Sequence, residues 1–89
     1  MYGAKWHISG AVQERRRITS AKNSTWSMHV LKVASLGATF EVQVDGPTYE
    51  RFGEGSEVDL EGRFEDRAGV LKFIATRAQE LNAVELGVV

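Results

Sequence analysis

Three consecutive arginines, Arg15, Arg16 and Arg17, are the densest cluster of charge in the sequence. A guanidinium group is always protonated, donates in a planar fork that fits phosphate oxygens, and can stack on the face of a base. Lys22 follows in a polar stretch, Trp26 closes that stretch with a ring able to stack on a base, and Lys32 comes soon after. Cations that track a phosphate backbone, interleaved with an aromatic that takes a base, are the parts of a groove for single-stranded nucleic acid. Arg63 and Lys72, with Arg67 between them, could extend such a path. The competing reading is that the charges only solubilise a strand end, since a bare edge invites aggregation.

The formal net charge is −1, but it is unevenly spread. Residues 1–35 carry Lys5, the three arginines, Lys22 and Lys32 against Glu14 alone, whereas residues 36–89 hold eleven acids and five basic side chains. Screening acts over about 8 Å at physiological salt, so a local basic patch governs a bound phosphate more than distant acids do. Other chemistries find little material. There is no cysteine, which excludes disulfides and thiolate metal sites, and the two histidines, His7 and His29, do not complete a zinc site. Gly53-Glu54-Gly55 lacks the length and the following helix of a phosphate-binding loop. The carboxylates at 57, 59 and 61 alternate with apolar residues, as on any solvated strand face. No enzyme activity, metal or cofactor is expected.

The elements that position these groups read as strands. Trp6, Ile8, Gly10 and Val12 alternate with His7, Ser9, Ala11 and Gln13, the period of a strand with one buried face. Both tryptophans fall on the inward parity, which makes Trp6 a core residue and leaves Trp26, at the edge of the polar stretch, as the stacking candidate. Ile18–Ser24 reads as a loop. A second strand runs from Thr25 to about Ala34, with Trp26, Met28 and Val30 inward. Leu31 and Val33 then carry the apolar character on the other parity, which requires a bulge or a strand covered on both faces.

Ala38, Phe40, Val42 and Val44 form the cleanest half-buried strand, and Asp45-Gly46-Pro47 ends it. Pro47 can open one or two helical turns to Phe52, with Tyr49 and Phe52 plugging one end of a barrel. A fourth strand, about Glu57 to Glu65, faces Val58, Leu60, Gly62 and Phe64 inward, and a four-residue connection at 66–69 leads to a fifth, about Val70 to Ala78, with Leu71 and Phe73 inward. Five short strands, no long helix and two inward glycines, Gly10 and Gly62, predict an all-β fold, a small closed barrel over residues 1–80, followed by a tail at 81–89.

The runs Ile8-Ser9-Gly10-Ala11-Val12, Trp26-Ser27-Met28-His29-Val30, Phe40-Glu41-Val42, Gly55–Gly62 and Gly69-Val70-Leu71 resemble an OB-fold, a five-stranded barrel. The flavour is similar to the small bacterial and phage single-stranded-DNA-binding proteins, including the primosomal replication type. The resemblance covers about residues 5–80. It implies binding of single-stranded DNA, with RNA as an alternative, in replication, recombination or repair. It departs from the larger members at the end, where Glu85–Val89 forms no acidic tip, and in the shortened helical segment at 47–52.

Two functions follow as expectations. The first is non-sequence-specific binding of single-stranded DNA through Arg15, Arg16, Arg17, Lys22, Trp26, Lys32, Arg63 and Lys72. The second is an OB-fold interaction module in a replication or phage assembly, binding protein through the acidic side or an exposed strand. The small core suits a homodimer or higher oligomer. A sequence with no basic-then-apolar leader and no spanning run is expected to be soluble and cytoplasmic.

Overall fold

The structure, a computed structural model, describes residues 5–19 and 27–81. Five strands and one short helix follow in the order β1 (Lys5–Thr19), β2 (Ser27–Ser35), β3 (Ala38–Val44), α1 (Gly46–Arg51), β4 (Glu57–Arg67) and β5 (Val70–Glu80). The strands close into a barrel in the order β1-β2-β3-β5-β4. Every neighbouring pair is antiparallel except β3 and β5, which run parallel and meet only at Val42–Phe73 and Gln43–Ile74. The all-β barrel expected from the alternation is therefore present.

Strand β1 serves two partners. Residues 5–11 pair with β4 and residues 11–19 with β2, so one strand must curl around the barrel. Gly10 sits at the change of partner, where a Cβ would overlap the Ala34 carbonyl. Gly62 is its counterpart on β4: a Cβ there would run into the Ile74 carbonyl and the Trp6 ring. Both glycines are needed for close backbone approach. Inside, Val12, Leu31, Val33, Val42, Val58 and Leu60 are fully buried. One end of the core holds Trp6, Phe40 and Phe64 edge-on around Phe73, at centroid distances of 5.2–5.8 Å. The other end is stopped by Phe52, just after α1.

Helix α1 is short because of its caps. The Asp45 carboxylate accepts from Thr48 N at 2.8 Å, Pro47 sits in the first turn, and the backbone turns extended at Phe52. The segment that follows is tied to β1 by Val12 N to Ser56 O and Gly55 N to Val12 O, both 2.8 Å. Two hairpins close with two-residue turns, Leu36-Gly37 and Ala68-Gly69, whose residues all have positive φ, the geometry that matches strand twist.

Four expectations are corrected. Strand β1 does not give way to a loop at Ile18 but runs through the arginines to Thr19, paired with β2 throughout. Met28 and Val30 do not face the core: β2 pairs with β3 without a bulge, and its core side is Leu31 and Val33. Strand β4 continues to Arg67, so the connection has two residues rather than four. Leu71 shares the inward side of β5 with Phe73 but is 60% exposed, because the hairpin arm projects past the last residues of β1 and β3 that pair with it.

Candidate nucleic-acid interface

A single bulge decides which side of the sheet each basic residue takes. The β1–β2 register shifts between Val12 and Glu14, skipping Gln13, and the shift reverses the alternation of everything that follows. Val12 pairs with Val33 on the core side. Beyond the bulge, Arg15 pairs with core-facing Leu31 and Arg17 with His29, whereas Glu14, Arg16 and Ile18 pair with Lys32, Val30 and Met28 on the outer side. Consecutive arginines thus point to opposite sides of the sheet. The basic segment read along the chain is not one surface.

Arg15 and Arg17 belong to the end capped by α1. The Arg15 guanidinium lies 4.7 Å from the Tyr49 ring centroid and donates to the Tyr49 carbonyl at 2.7 Å. Arg17 stands 5.6 Å from the same ring and donates to Glu50 at 3.2 Å. His29 packs on Tyr49 from β2, ring centroids 4.8 Å apart. These groups fasten α1 to the barrel, since a cation over an aromatic face is held by the ring quadrupole.

The outer face of β1, β2 and β3 is different. From the registers, Arg16, Val30 and Gln43 make one row across three strands, and Lys32, Glu41 and the β5 residue Lys72 line up beside it. Arg16 reaches over β2 to Glu41, with its Nη2 2.7 Å from Oε2, and its Nε is 3.8 Å from Glu14. Lys32 Nζ is 4.0 Å from Glu14. Lys72 is in no ion pair among the described residues. Between these charges lies a shallow depression lined by Met28, Val30, Glu41, Gln43, Lys72 and Phe73. Val30 is only 8% exposed although it lies outside the core cluster, and Gln43 Oε1 is buried with no hydrogen-bond partner. The sequence signal for this depression was the apolar run through Val30, Leu31 and Val33, which calls for cover on both faces; Gln43 carried no such signal.

Among the remaining candidates, Arg63 lies on the outer side of β4, paired with Ile74, and is held by Glu65 at 2.5 Å, which also takes Arg67 at 2.7 Å. Lys22 and Trp26 lie outside the described residues. Trp6 is a core residue, 7% exposed, whose indole N–H donates to the Arg63 carbonyl at 2.9 Å. The arrangement brings together Arg16, Lys32 and Lys72 and separates Arg15 and Arg17 from them.

The other side of the barrel is acidic. Glu57, Asp59 and Glu61 of β4 pair with Ala11, Ser9 and His7. Asp59 is the hub: the Ser9 hydroxyl donates to Oδ1, His7 Nε2 is 2.5 Å from the same oxygen, and Gln79 donates to Oδ2 at 3.3 Å. The Ser9 hydrogen bond, then the His7 contact, holds the Asp59 carboxyl below its ordinary value against the opposing effect of burial. Serine and histidine here share one acceptor and do not bond each other, so the trio is no nucleophilic relay.

No family model matches the sequence, and no curated protein does. Structural likeness is found instead, with 14 chains of solved structures matching the fold. One is a chain of the crystal structure of the S. pombe Stn1-Ten1 complex, at a TM-score of 0.65 and 20% identity, covering 91% of this chain and 59% of that one. The strand order β1-β2-β3-β5-β4, closed and with its helix between β3 and β4, completes the case. The barrel is an OB-fold. At 20% identity the likeness shows the fold alone, and this chain spans about three fifths of that neighbour's length. The narrower resemblance to small bacterial and phage binders has no match in sequence behind it. Within the described residues no helix is long and apolar enough to cross a membrane.

Proposed function

We propose that this protein is a non-enzymatic module that binds single-stranded DNA across the outer face of β1, β2 and β3 and the adjoining β4–β5 hairpin. The observation that carries the reading is the convergence of Arg16, Lys32 and Lys72, from three strands, around a depression with apolar walls on one face. OB-folds take oligonucleotides on the face of strands two and three and on the loops that join strands one to two and four to five. Contacts to phosphate fix a strand without reading its bases, which fits a role in replication, recombination or repair. Arg63 flanks the path on β4, whereas Arg15 and Arg17 serve stability.

The test is fluorescence anisotropy with a labelled thymidine oligomer over a range of salt, with a uridine oligomer as the RNA arm. Three phosphate contacts give a log–log salt slope of about −2 on a single strand. Replacing Arg16, Lys32 and Lys72 together by alanine removes binding and leaves the circular dichroism unchanged. No binding of either oligomer by the folded protein at low salt sinks the proposal.

A second reading has its own support. The solved neighbour is a chain of a two-protein complex, and the acidic strand face around Asp59 suits a basic protein surface by charge complementarity. Light scattering on the same samples reports self-association.

A further inference from the structure

The depression on the outer face holds two acceptors, on Gln43 and Glu41, that phosphate binding does not use, beside Lys72, whose ammonium has three N–H donors to share. Gln43 Oε1 is buried there with no hydrogen-bond partner. Glu41, two residues earlier on β3, points to the same side; Arg16 bonds its Oε2, and among the described residues its Oε1 accepts nothing. Lys72 stands beside Glu41 through the parallel register set by Val42 and Phe73. Read from β3 toward β5, the edge is acceptor, acceptor, cationic donor, with apolar walls from Met28, Val30 and Phe73.

We propose that this depression reads guanine. The inference rests on the nucleic-acid reading above and adds to it one position at which the strand is discriminated. The Watson–Crick edge of guanine offers the N2 amino group, N1–H and O6 in sequence: donor, donor, acceptor. The amino group meets Gln43 Oε1, N1–H meets the open oxygen of Glu41, and O6 accepts from Lys72. Thymine presents acceptor, donor, acceptor, and cytosine presents one donor followed by two acceptors. Adenine has a single amino donor and then a ring acceptor. Each of these sets at least one lone pair against a protein acceptor or leaves one unmatched, and unmatched buried polar groups are what discriminate between bases. Single-stranded bases expose this edge, which a duplex hides.

The experiment compares a thymidine oligomer with the same oligomer carrying one central deoxyguanosine or deoxyinosine, by anisotropy at low salt. The guanine oligomer binds roughly tenfold tighter than the thymidine one, and inosine, which lacks the amino group facing Gln43, falls between them. Gln43→Leu brings the guanine oligomer down to inosine and narrows its lead over thymidine. Glu41→Gln is the second variant, and it narrows the lead over thymidine without merging guanine with inosine. Equal affinity of the wild-type protein for all three oligomers overturns the inference while leaving the phosphate-binding reading in place. A guanine preference that survives intact in Gln43→Leu overturns it as well, as does satisfaction of Gln43 by a bound water alone, read as no oligomer discrimination. If no oligomer binds, both readings fall.

Discussion

Arg16 and Glu41 are joined by a 2.7 Å ion pair that spans β2, linking strands that are not neighbours in the sheet. Both side chains are about half exposed, so the pair itself adds little to stability. Its consequence is competition. The carboxylate occupies the guanidinium that a phosphate would take, and Glu14 does the same to Lys32.

Removing that competitor is the first prediction. Glu41→Gln raises the affinity for a thymidine oligomer several-fold at low salt, with the gain shrinking as salt is added, because the released charge is exposed and screened. Anisotropy titrations at two salt concentrations measure it. An unchanged or weaker affinity for thymidine would mean that Arg16 does not contact the strand.

Arg15 and Arg16, adjacent in the chain, are predicted to behave oppositely. Arg15→Ala loses a hydrogen bond to the Tyr49 carbonyl and a cation over its ring, a destabilisation of about 1–2 kcal/mol, with oligomer affinity nearly constant. Arg16→Ala weakens binding and leaves the urea midpoint almost where it was. Urea denaturation and anisotropy on both variants decide this, and parallel behaviour contradicts the division of the basic segment.

The inward glycines set a third expectation. Gly62→Ala places a methyl group against the Ile74 carbonyl and the Trp6 ring, and overpacking of this kind costs about 1–3 kcal/mol or more. Thermal unfolding gives the size of the loss. A melting temperature within a degree or two of wild type, by the ~4–8 °C per kcal/mol expected for a domain of this size, contradicts the close approach of β4 and β5.

At the β4–β5 turn the sign is reversed. Ala68 adopts φ 54°, a left-handed conformation that costs an alanine roughly 1 kcal/mol relative to glycine. Ala68→Gly is therefore expected to stabilise the protein in the same assay, and a loss of stability counts against the positive φ.

Acid should weaken the fold through Asp45 and Asp59. Hydrogen bonds from Thr48 and from Ser9, respectively, hold both carboxyls below their ordinary value of 3.8. A depressed native value means that the unfolded chain binds protons more readily. The contribution is therefore complete above that ordinary, unfolded value and disappears as pH falls through the lower native values. Urea midpoints from pH 7 downward follow it. In the double variant Asp45→Asn, Asp59→Asn the acid slope is shallower; a slope identical to wild type excludes these two groups as its source.

The sequence alone determined the barrel. Alternation at Trp6–Val12, Ala38–Val44 and Val58–Phe64 specifies which side of each strand is buried, because a strand's side chains repeat every two residues wherever one face meets water. Gly10 and Gly62 were legible for a related reason, since an absent side chain on an inward parity marks a place where backbones converge. The α1 caps were equally local, written in Asp45 and Pro47. That Arg15 and Arg17 share one side of the strand and Arg16 takes the other follows from the same alternation, but which side each takes was not legible. It depends on the skipped residue Gln13, and a bulge is fixed by how two distant strands come into register and leaves no mark of its own in composition. The depression around Val30 and Gln43 was likewise decided by the tertiary structure, because its walls come from β2, β3 and β5. Charge counted along the chain placed six cations in one basic segment; the bulge turned Arg16 to the outer face and Arg15 to the end capped by α1.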